Sequence, residues 1–535
     1  MPYVVTRSCC ADASCVLACP VNCIHPAPGE PGFGTAEMLY VDPRTCVDCG
    51  ACTTACPVDA LKPHTALSQG EVPFLELNAA YYKQNPHADR TPMYVVPKQR
   101  GLPAGELSVA VIGAGPAGLF AADELLRHPG VRVTVFDRLP TPYGLARAGV
   151  APDHQDTKQV TELFRTIESQ PGFTYRLGVE IGAHLTHTDL LREHHAVIYA
   201  VGAATDKRLD IDGEDLQGSA SATDFVAWYN GHPDRAHDHY TLDTERAVVI
   251  GNGNVALDVA RILTADPDTL ARTDISDRAL AALRSSKVRE VVLLGRRGPA
   301  QAAFTVPELL ALSALEDVDV SVEGWPDDLD PDATEKTRLL SQLAARTPVE
   351  GRRRIVLRFL TSPVRIIGEA AVRALEITPT TLHTDEDGTV RARPTGDTQS
   401  LETGLVLRSV GYRARPVPGL PFDEDTATVP HEAGRVEPGV YVAGWIKRGP
   451  TGFIGTNKTC AHETVESLLS DFSAGRLTQP VSGVSTAVDA LGLDAWRAID
   501  RTERAAGEAQ GRPRVKLTDT ESLHRAAQAV PAARG

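Results

Sequence analysis

Cys46-Val-Asp-Cys49-Gly-Ala-Cys52-Thr-Thr-Ala-Cys56-Pro57 is the stretch that decides how this chain begins. Its spacing is C-x2-C-x2-C-x3-C-P. Three thiolates this close wrap one loop around an iron–sulfur cubane, with backbone N–H groups facing its sulfurs, and the fourth cysteine is offered to a neighbouring cluster. Pro57 has no N–H and turns the chain out of further helix. A zinc knuckle is the alternative, but knuckles seldom combine these spacings with the trailing proline.

Shifted back by 37 residues the frame repeats: Cys9-Cys10-Ala-Asp12-Ala-Ser-Cys15-Val-Leu-Ala-Cys19-Pro20, with Asp12 at the place of the second cysteine. Such an internal repeat implies two copies of one supersecondary unit. With the fourth cysteine of each run crossing over, one cluster takes Cys9, Cys15 and Cys56, and the other takes Cys46, Cys49, Cys52 and Cys19. The latter is expected to be a 4Fe-4S cluster. The former is expected to be a 3Fe-4S cluster, or a 4Fe-4S cluster whose fourth iron takes an Asp12 oxygen, because carboxylate is a poorer partner than thiolate for that iron. Cys10 and Cys23 are left over and read as small buried hydrophobes. Residues 1–65 thus resemble a two-cluster bacterial ferredoxin, an α+β fold.

Nine of the ten cysteines fall within the first 56 residues, and Cys460 stands alone. No run of 18 apolar residues occurs, and MPYVVTRSCC lacks a basic segment followed by a long apolar one. A cytoplasmic protein with no membrane partner is expected, and in that reducing compartment clustered cysteines bind metal rather than crosslink. The formal charge of −15 weighs against a nucleic-acid partner, and the 42% hydrophobic content against a disordered chain. A length of 535 residues has room for three or four domains. Residues 66–105 carry Pro73, Pro86, Pro92, Pro97 and Pro103 with few helix signals. An extended linker is expected there, with Phe74–Leu77 and Ala79–Tyr82 resting on a domain surface.

Farther on, Ser108-Val-Ala-Val-Ile-Gly113-Ala114-Gly115-Pro116-Ala117-Gly118 reads as a strand, a G-x-G-x-x-G turn and the start of a helix. These glycines let the backbone approach a pyrophosphate at the helix N-terminus. The next strand, Val131–Phe136, runs into Asp137, which can accept from ribose hydroxyls. A second unit begins at Ala247-Val-Val-Ile-Gly251-Asn252-Gly253-Asn254-Val255-Ala256, with Ala256 in the third glycine's place. Its following strand meets Gly295-Arg296-Arg297-Gly298 instead of an acid. Two guanidiniums at that point select a 2′-phosphate, hence NADP(H). Two such units in one chain imply FAD plus NADP(H). The strings Val197–Ala203, Leu405–Tyr412 and Gly439–Trp445 continue the first unit on either side of the second, so the NADP(H) unit is expected as an insertion in the FAD unit.

From residue 107 to about 530, four strings resemble adrenodoxin reductase and its bacterial ferredoxin–NADP reductase relatives. They are PTPYGLARAGVAPDH (140–154), GNGNVALDVARIL (251–263), GRRGPAQAAFTVPEL (295–309) and GWIKRGPTGFIGTNK (444–458). The order of parts is similar to that of the fused bacterial ferredoxin/ferredoxin–NADP reductases. The resemblance implies an α/β flavoprotein with two dinucleotide-binding domains: FAD-binding residues 106–244 and 405–475, NADP-binding residues 245–404 and a C-terminal segment 476–535. It implies FAD contacts at Gly113, Ala114, Gly115, Pro116, Ala117, Gly118, Asp137, Leu145, Ile181, Trp445, Gly452, Phe453 and Ile454, with a following helix N-terminus near the flavin. It implies NADP(H) contacts at Asn252, Gly253, Asn254, Val255, Arg296, Arg297, Glu308 and Gly452. His154 of the APDH string falls near the flavin, in a proton or hydrogen-bond role or as a structural contact at a helix N-terminus. Glu308 is the family's acid facing the nicotinamide, and its second acid is replaced here by Ala311.

The activity implied is NADPH-dependent ferredoxin reduction. Hydride passes from NADPH to FAD, and single electrons then pass through the clusters to an external acceptor such as a cytochrome P450, a separate ferredoxin or another reductase. The alternatives are the electron-feeding subunit of a glutamate-synthase-like complex, whose cysteine framework differs, and a non-catalytic redox sensor. A disulfide reductase is excluded because no C-x-x-C lies in the FAD half.

Overall fold

The computed structural model describes residues 2–93, 102, 106–481 and 488–529. The cysteine repeat returns in it as a repeat of backbone shape. Strand Tyr3–Val5 pairs antiparallel with Leu61–Pro63, and Ile24–His25 with Tyr40–Val41. Two five-residue helices, Ser14–Ala18 and Ala51–Ala55, carry the middle of each run. Each starts from a left-handed residue, Ala13 at φ 61° and Gly50 at φ 74°, which hold equivalent places in the two copies. Each ends on a cysteine with extended backbone, Cys19 or Cys56, so the fourth cysteine of a run leaves the helix.

The extended linker requires correction. Residues Pro73–Gln84 form a helix. Pro73 stands in its first turn, where a missing N–H sacrifices no hydrogen bond. Phe74, Leu77 and Asn78 form its buried face at helical spacing. Asn78, 2% exposed, ties the small unit together: Oδ1 accepts from Val5 N (3.2 Å) and Val41 N (2.9 Å), and Nδ2 donates to the Val5 carbonyl (2.9 Å). Pro97 and Pro103 lie outside the described residues.

The remainder is built on two six-stranded sheets. The first has the spatial order 435–437, 440–442, 196–199, 107–112, 131–137 and 173–177, parallel except for its antiparallel edge strand 435–437. The second has the order 219–221, 405–408, 246–250, 290–294, 353–358 and 318–323, and is parallel throughout. Strands such as Leu107–Ile112 are near-continuous apolar runs, as burial on both faces requires. The chain lays down four strands of the first sheet, builds the second, and returns to the first at Arg435. Leu405–Arg408, expected as part of that return, instead pairs with Arg246–Ile250 and Ser219–Ser221 inside the second sheet. The second unit's sheet therefore starts before residue 245 and ends after residue 404. A short apolar strand fits either parallel sheet equally well, so its pattern alone does not choose.

After the helix Thr456–Ser473, helices Leu493–Glu508 and Thr520–Gln528 join the core of the first unit through Trp496, Ile499 and Leu523. These helices and the stretch between them strap the two sheet units with ion pairs. Arg512 Nη1 meets Asp277 at 2.7 Å, Lys516 Nζ meets Asp274 at 2.8 Å, and Arg147 meets Glu503 at 2.6 Å. Among the described residues no helix is long and apolar enough to cross a membrane.

Candidate active site

The fold sorts the cysteines into two groups. Cys19, Cys46, Cys49 and Cys52 line one pocket, and Cys23 lines it as well. Cys23 Sγ is 3.4 Å from Cys19 Sγ, and hydrogen bonding with Cys23 brings the Cys46 thiol down to about 6. Cys23 is thus more than a filler of apolar space: it sits beside two of the four candidate ligands. Four thiols converging on one cavity are the donor set an iron–sulfur cubane needs.

Cys9, Cys15 and Cys56 form the other group, with Asp12 among them. Burial, with Cys56 and Asp12 adding to it, pushes the Cys9 thiol up to about 11. Thiolates are costly there unless a cation shares the space, which fits a cluster. The Asp12 carboxylate is engaged: Ser14 Oγ donates to Oδ2, and Lys458 Nζ lies 3.8 Å from it. Cys10, 4% exposed, is buried in the core of the first sheet unit, as a small hydrophobe is.

Both glycine turns have the shape a pyrophosphate requires. A Cβ on Gly113 would lie 2.4 Å from the Ala200 carbonyl, and one on Gly251 would lie 2.1 Å from the Ser409 carbonyl. By contrast, Gly115 and Gly253 face open space, with no atom within 4 Å of where a Cβ would project. Helices Pro116–Leu126, which begins Pro116-Ala117-Gly118, and Asn254–Thr264, which begins Asn254-Val255, start directly behind these openings. Asp137 accepts from Ala114 N at 2.8 Å and from Leu139 N at 2.9 Å, so the acid is fixed at the turn. Asn252 and Asn254 brace the second turn: the Asn252 carbonyl accepts from Phe304 N at 2.9 Å, and Asn254 Oδ1 accepts from Thr305 N at 2.9 Å. Arg296 is exposed and Arg297 half-buried, and among the described residues neither has an ion-pair partner.

Around the first turn, Leu145 keeps 38% of its surface exposed, and Ile181 bridges to Leu185. Trp445 packs against Tyr412 with ring centroids 5.1 Å apart and planes tilted by 48°, and its Nε1–H donates to the Thr451 carbonyl. Gly452, Phe453 and Ile454 lead into the helix Thr456–Ser473, and Phe453 N donates to Thr456 Oγ1 at 3.0 Å.

His154 and Glu308 do meet, through an intermediary. Arg261, 3% exposed, donates Nε to Asp153 Oδ2 (2.8 Å), Nη2 to Asp258 Oδ1 (2.7 Å) and Nη1 to Glu308 Oε2 (3.3 Å). It also donates to Nε2 of His154. Burial, with Arg261 and Arg7 beside it, holds His154 well below its ordinary pKa, so the imidazole is neutral with its Nε2 lone pair in use. Burial pushes the neighbouring Asp258 carboxyl up.

The cysteine cavity, the open glycine turns and the ion cluster can be set against known proteins. Residues 107–292 match the profile of the pyridine nucleotide-disulphide oxidoreductases, and residues 39–62 that of the 4Fe-4S binding domain. The chain is 51% identical, over 99% of its own length and 96% of the other, to the probable ferredoxin/ferredoxin–NADP reductase of Mycobacterium tuberculosis. It belongs to the ferredoxin/ferredoxin–NADP reductase family. Over 78% of its length it is also 38% identical to the human mitochondrial NADPH:adrenodoxin oxidoreductase, of which it covers 91%. The structure of Mycobacterium tuberculosis FprA in complex with NADPH superposes with a TM-score of 0.76 at 43% identity, covering 79% of this chain and 100% of that one.

How the two parts engage is not legible in the sequence. Gly455 N donates to the Cys10 carbonyl at 2.8 Å, and a Cβ there would fall 2.3 Å from Asp12 N. Lys458 reaches Ser14 at 3.3 Å. Thus the loop that follows Gly452–Ile454 is locked onto the first cysteine run. On the other side, Glu37 accepts from Val306 N at 2.7 Å, and Arg7 lies 3.8 Å from Glu308. Arg7 lines, with His154, Gln155 and Ala311, an opening between the parts. Arg261 and Asp258 carried one available signal, an i, i+3 ion pair inside a quoted string. Arg7 and Glu37 carried none, because their partners are some 270–300 residues away in sequence.

Proposed function

We propose that the chain oxidises NADPH and passes the electrons out through its own ferredoxin part. FAD is assigned to the first sheet unit, whose opening at Gly115 is backed by Asp137, and NADP(H) to the second, whose opening at Gly253 adjoins Arg296 and Arg297. The second unit is read as an insertion in the first, running from about residue 219 to 408, with the C-terminal segment as its strap. When bound, FAD converts a two-electron hydride into the single electrons that iron–sulfur clusters accept.

The protein's own groups bind, orient and shield. Arg296 and Arg297 are unneutralised cations placed for a 2′-phosphate. Asp137 offers its remaining lone pairs to ribose hydroxyls. The N-terminus of the helix Thr456–Ser473 puts partial positive charge behind Gly452–Ile454. His154, neutral and held by Arg261, orients rather than ionises, and Glu308 is held between Arg261 and Arg7.

One observation carries the reading: the backbone hydrogen bond between Gly455 and Cys10, which joins the flavin-side loop to the first cysteine run. The first group is therefore the inlet of the ferredoxin part, and the second, with Cys49 at the surface, is the outlet toward a ferredoxin-type or P450-type acceptor. Asp12, occupied by Ser14 and Lys458, supports a three-iron cluster at the inlet.

The nucleotide assignment is tested by Arg296→Ala/Arg297→Ala. Each charge-assisted contact contributes ~1.5–3 kcal/mol, so removing both should erase most of an NADPH-over-NADH preference in kcat/KM on the order of 10²–10³. An unchanged ratio would remove the arginines from the 2′-phosphate. Failure of the wild-type holoprotein to move electrons from NADPH to ferricyanide would favour the sensor.

A further inference from the structure

We propose that His25, Glu30 and His87 form a site for a divalent transition-metal ion of the zinc class, separate from both cysteine groups. One donor atom from each of the three lies within 4.8 Å of the others. Two ligands of a tetrahedral zinc, each about 2.0–2.2 Å from the metal, stand about 3.3–3.6 Å apart, so small side-chain rotations close the site.

The hydrogen bonding of His25 calls for a cation. The ring is 2% exposed, and its Nε2 lies 3.0 Å from the Asn22 carbonyl. A carbonyl only accepts, so Nε2 carries the proton and the lone pair of the neutral ring sits on Nδ1. That lone pair faces both oxygens of Glu30, at 3.0 and 3.1 Å. Lone pair against carboxylate repels unless something positive lies between them, either a second ring proton, which makes the contact an imidazolium–carboxylate pair, or a metal ion. In the proposed site a metal ion takes the place of that proton on Nδ1, and an Nε2–H donated to a backbone carbonyl is the arrangement that orients metal-bound histidines.

His87 completes the donor set. Its ring lies over that of His25 with centroids 3.7 Å apart, and its Nε2 faces Asn22 Nδ2 at a long 3.2 Å. The amide can only donate, so Nε2 keeps the lone pair that a metal would take in its place. A second observation points the same way: Asn22 Oδ1 is buried beside His87 and has no hydrogen-bond partner. It is free to accept from a metal-bound water. Two neutral imidazoles and one carboxylate are donors zinc accepts, leaving one position for that water.

The site would tie residue 87, beyond the helix Pro73–Gln84, to the loop that starts at Cys23, where Tyr82 Oη already donates to the Cys23 carbonyl at 3.0 Å. Its part is to fasten chain beside the second cysteine group, not to carry electrons. The proposal does not depend on the reductase reading.

The experiment uses the full-length holoprotein, equilibrated with equimolar zinc and dialysed. Iron and zinc are counted by plasma mass spectrometry, and zinc K-edge absorption reads its neighbours. The expected result is about one zinc per chain beyond the iron, with only nitrogen and oxygen neighbours at about 2.0–2.2 Å. His87→Ala and Glu30→Gln should each lose most of the zinc while iron and flavin stay at wild-type levels. Three outcomes overturn the proposal: a wild type that keeps only traces of zinc, a His87→Ala/Glu30→Gln double variant that keeps all of it, or sulfur among the neighbours, which would put the zinc in the cysteine groups. Should His87→Ala also lose iron through misfolding, the wild-type absorption spectrum decides alone.

Discussion

The two cysteine groups share a ligand frame and live in different surroundings. The first is walled in: Cys15 is 5% exposed, Cys10 lies in the flavoprotein core, and Gly455 touches the Cys10–Asp12 backbone. The second opens outward: Cys49 is exposed, and Val47 keeps 58% of its surface in solvent. With the inlet and outlet proposed above, the duplicated motif would serve two ends of one path because each copy packs on different neighbours. The single change in the repeated frame, Asp12, is in the walled-in copy, where Lys458 of the flavoprotein part supplies the opposite charge.

Breaking the inner contact should have the largest effect. In Gly455→Val the new side chain collides with the Asp12 backbone, which cannot rotate away as a side-chain tip would. Misplacement on the ångström scale costs about 10²-fold in a rate that depends on alignment. Cytochrome reduction should fall by that order, while ferricyanide, able to take electrons directly from the flavin, is reduced at the wild-type rate. Equal losses with both acceptors would mean that the flavin site itself was damaged and the contact is not the inlet.

Asp12→Cys sharpens the comparison by making the copies chemically alike. A thiolate in place of the carboxylate should convert a three-iron centre, paramagnetic in the oxidised state, into a four-iron centre that is silent. Iron should rise from about seven to about eight per chain. An anaerobically purified wild type with no such signal and about eight irons would make Asp12 a true ligand.

Much of this was legible because it is local. The ligand spacing, the glycine turns and the Arg296–Arg297 pair are each encoded within a dozen residues, and the family strings fixed the order of the parts. What was illegible is long-range or masked. The helix Pro73–Gln84 hid behind its prolines, although Phe74, Leu77 and Asn78 already carried the helical stripe. Leu405–Arg408 was misassigned because an apolar strand does not name its sheet. Arg7, Glu37 and Gly455 act across the seam between the parts, and nothing in their own neighbourhoods announces partners hundreds of residues away.

At the outer group, Val47 is an exposed apolar side chain between two candidate ligands. Val47→Asp should raise KM for a protein acceptor about tenfold, the cost of losing one well-packed apolar contact, with ferricyanide kinetics unchanged. A change with ferricyanide but not with the protein acceptor would mean that Val47 supports the fold rather than the docking face.

The smallest effect should come from the seam near the nicotinamide end, where the ferredoxin part contributes to the reductase itself. Helix Val306–Ser313 carries Glu308 in its first turn, and its own N-cap residue, Thr305, makes no side-chain cap. Glu37 does that work from the ferredoxin part, accepting from Val306 N, and Lys336 lies 3.7 Å from the same carboxylate. Removing a cap costs ~1 kcal/mol. In Glu37→Ala the helix start should loosen and KM for NADPH should rise about two- to fivefold, with kcat for ferricyanide nearly unchanged, because the loss falls on positioning rather than on the reacting atoms. Glu37→Gln keeps an accepting oxygen without the charge and should recover most of the loss. The signal of the first cysteine group should stay as in the wild type, since the Glu37 side chain pairs with the second sheet unit. If KM is unchanged in Glu37→Ala, the seam is an attachment only. If it rises and Gln fails to restore it, the charge opposite Lys336, not the cap, holds the helix.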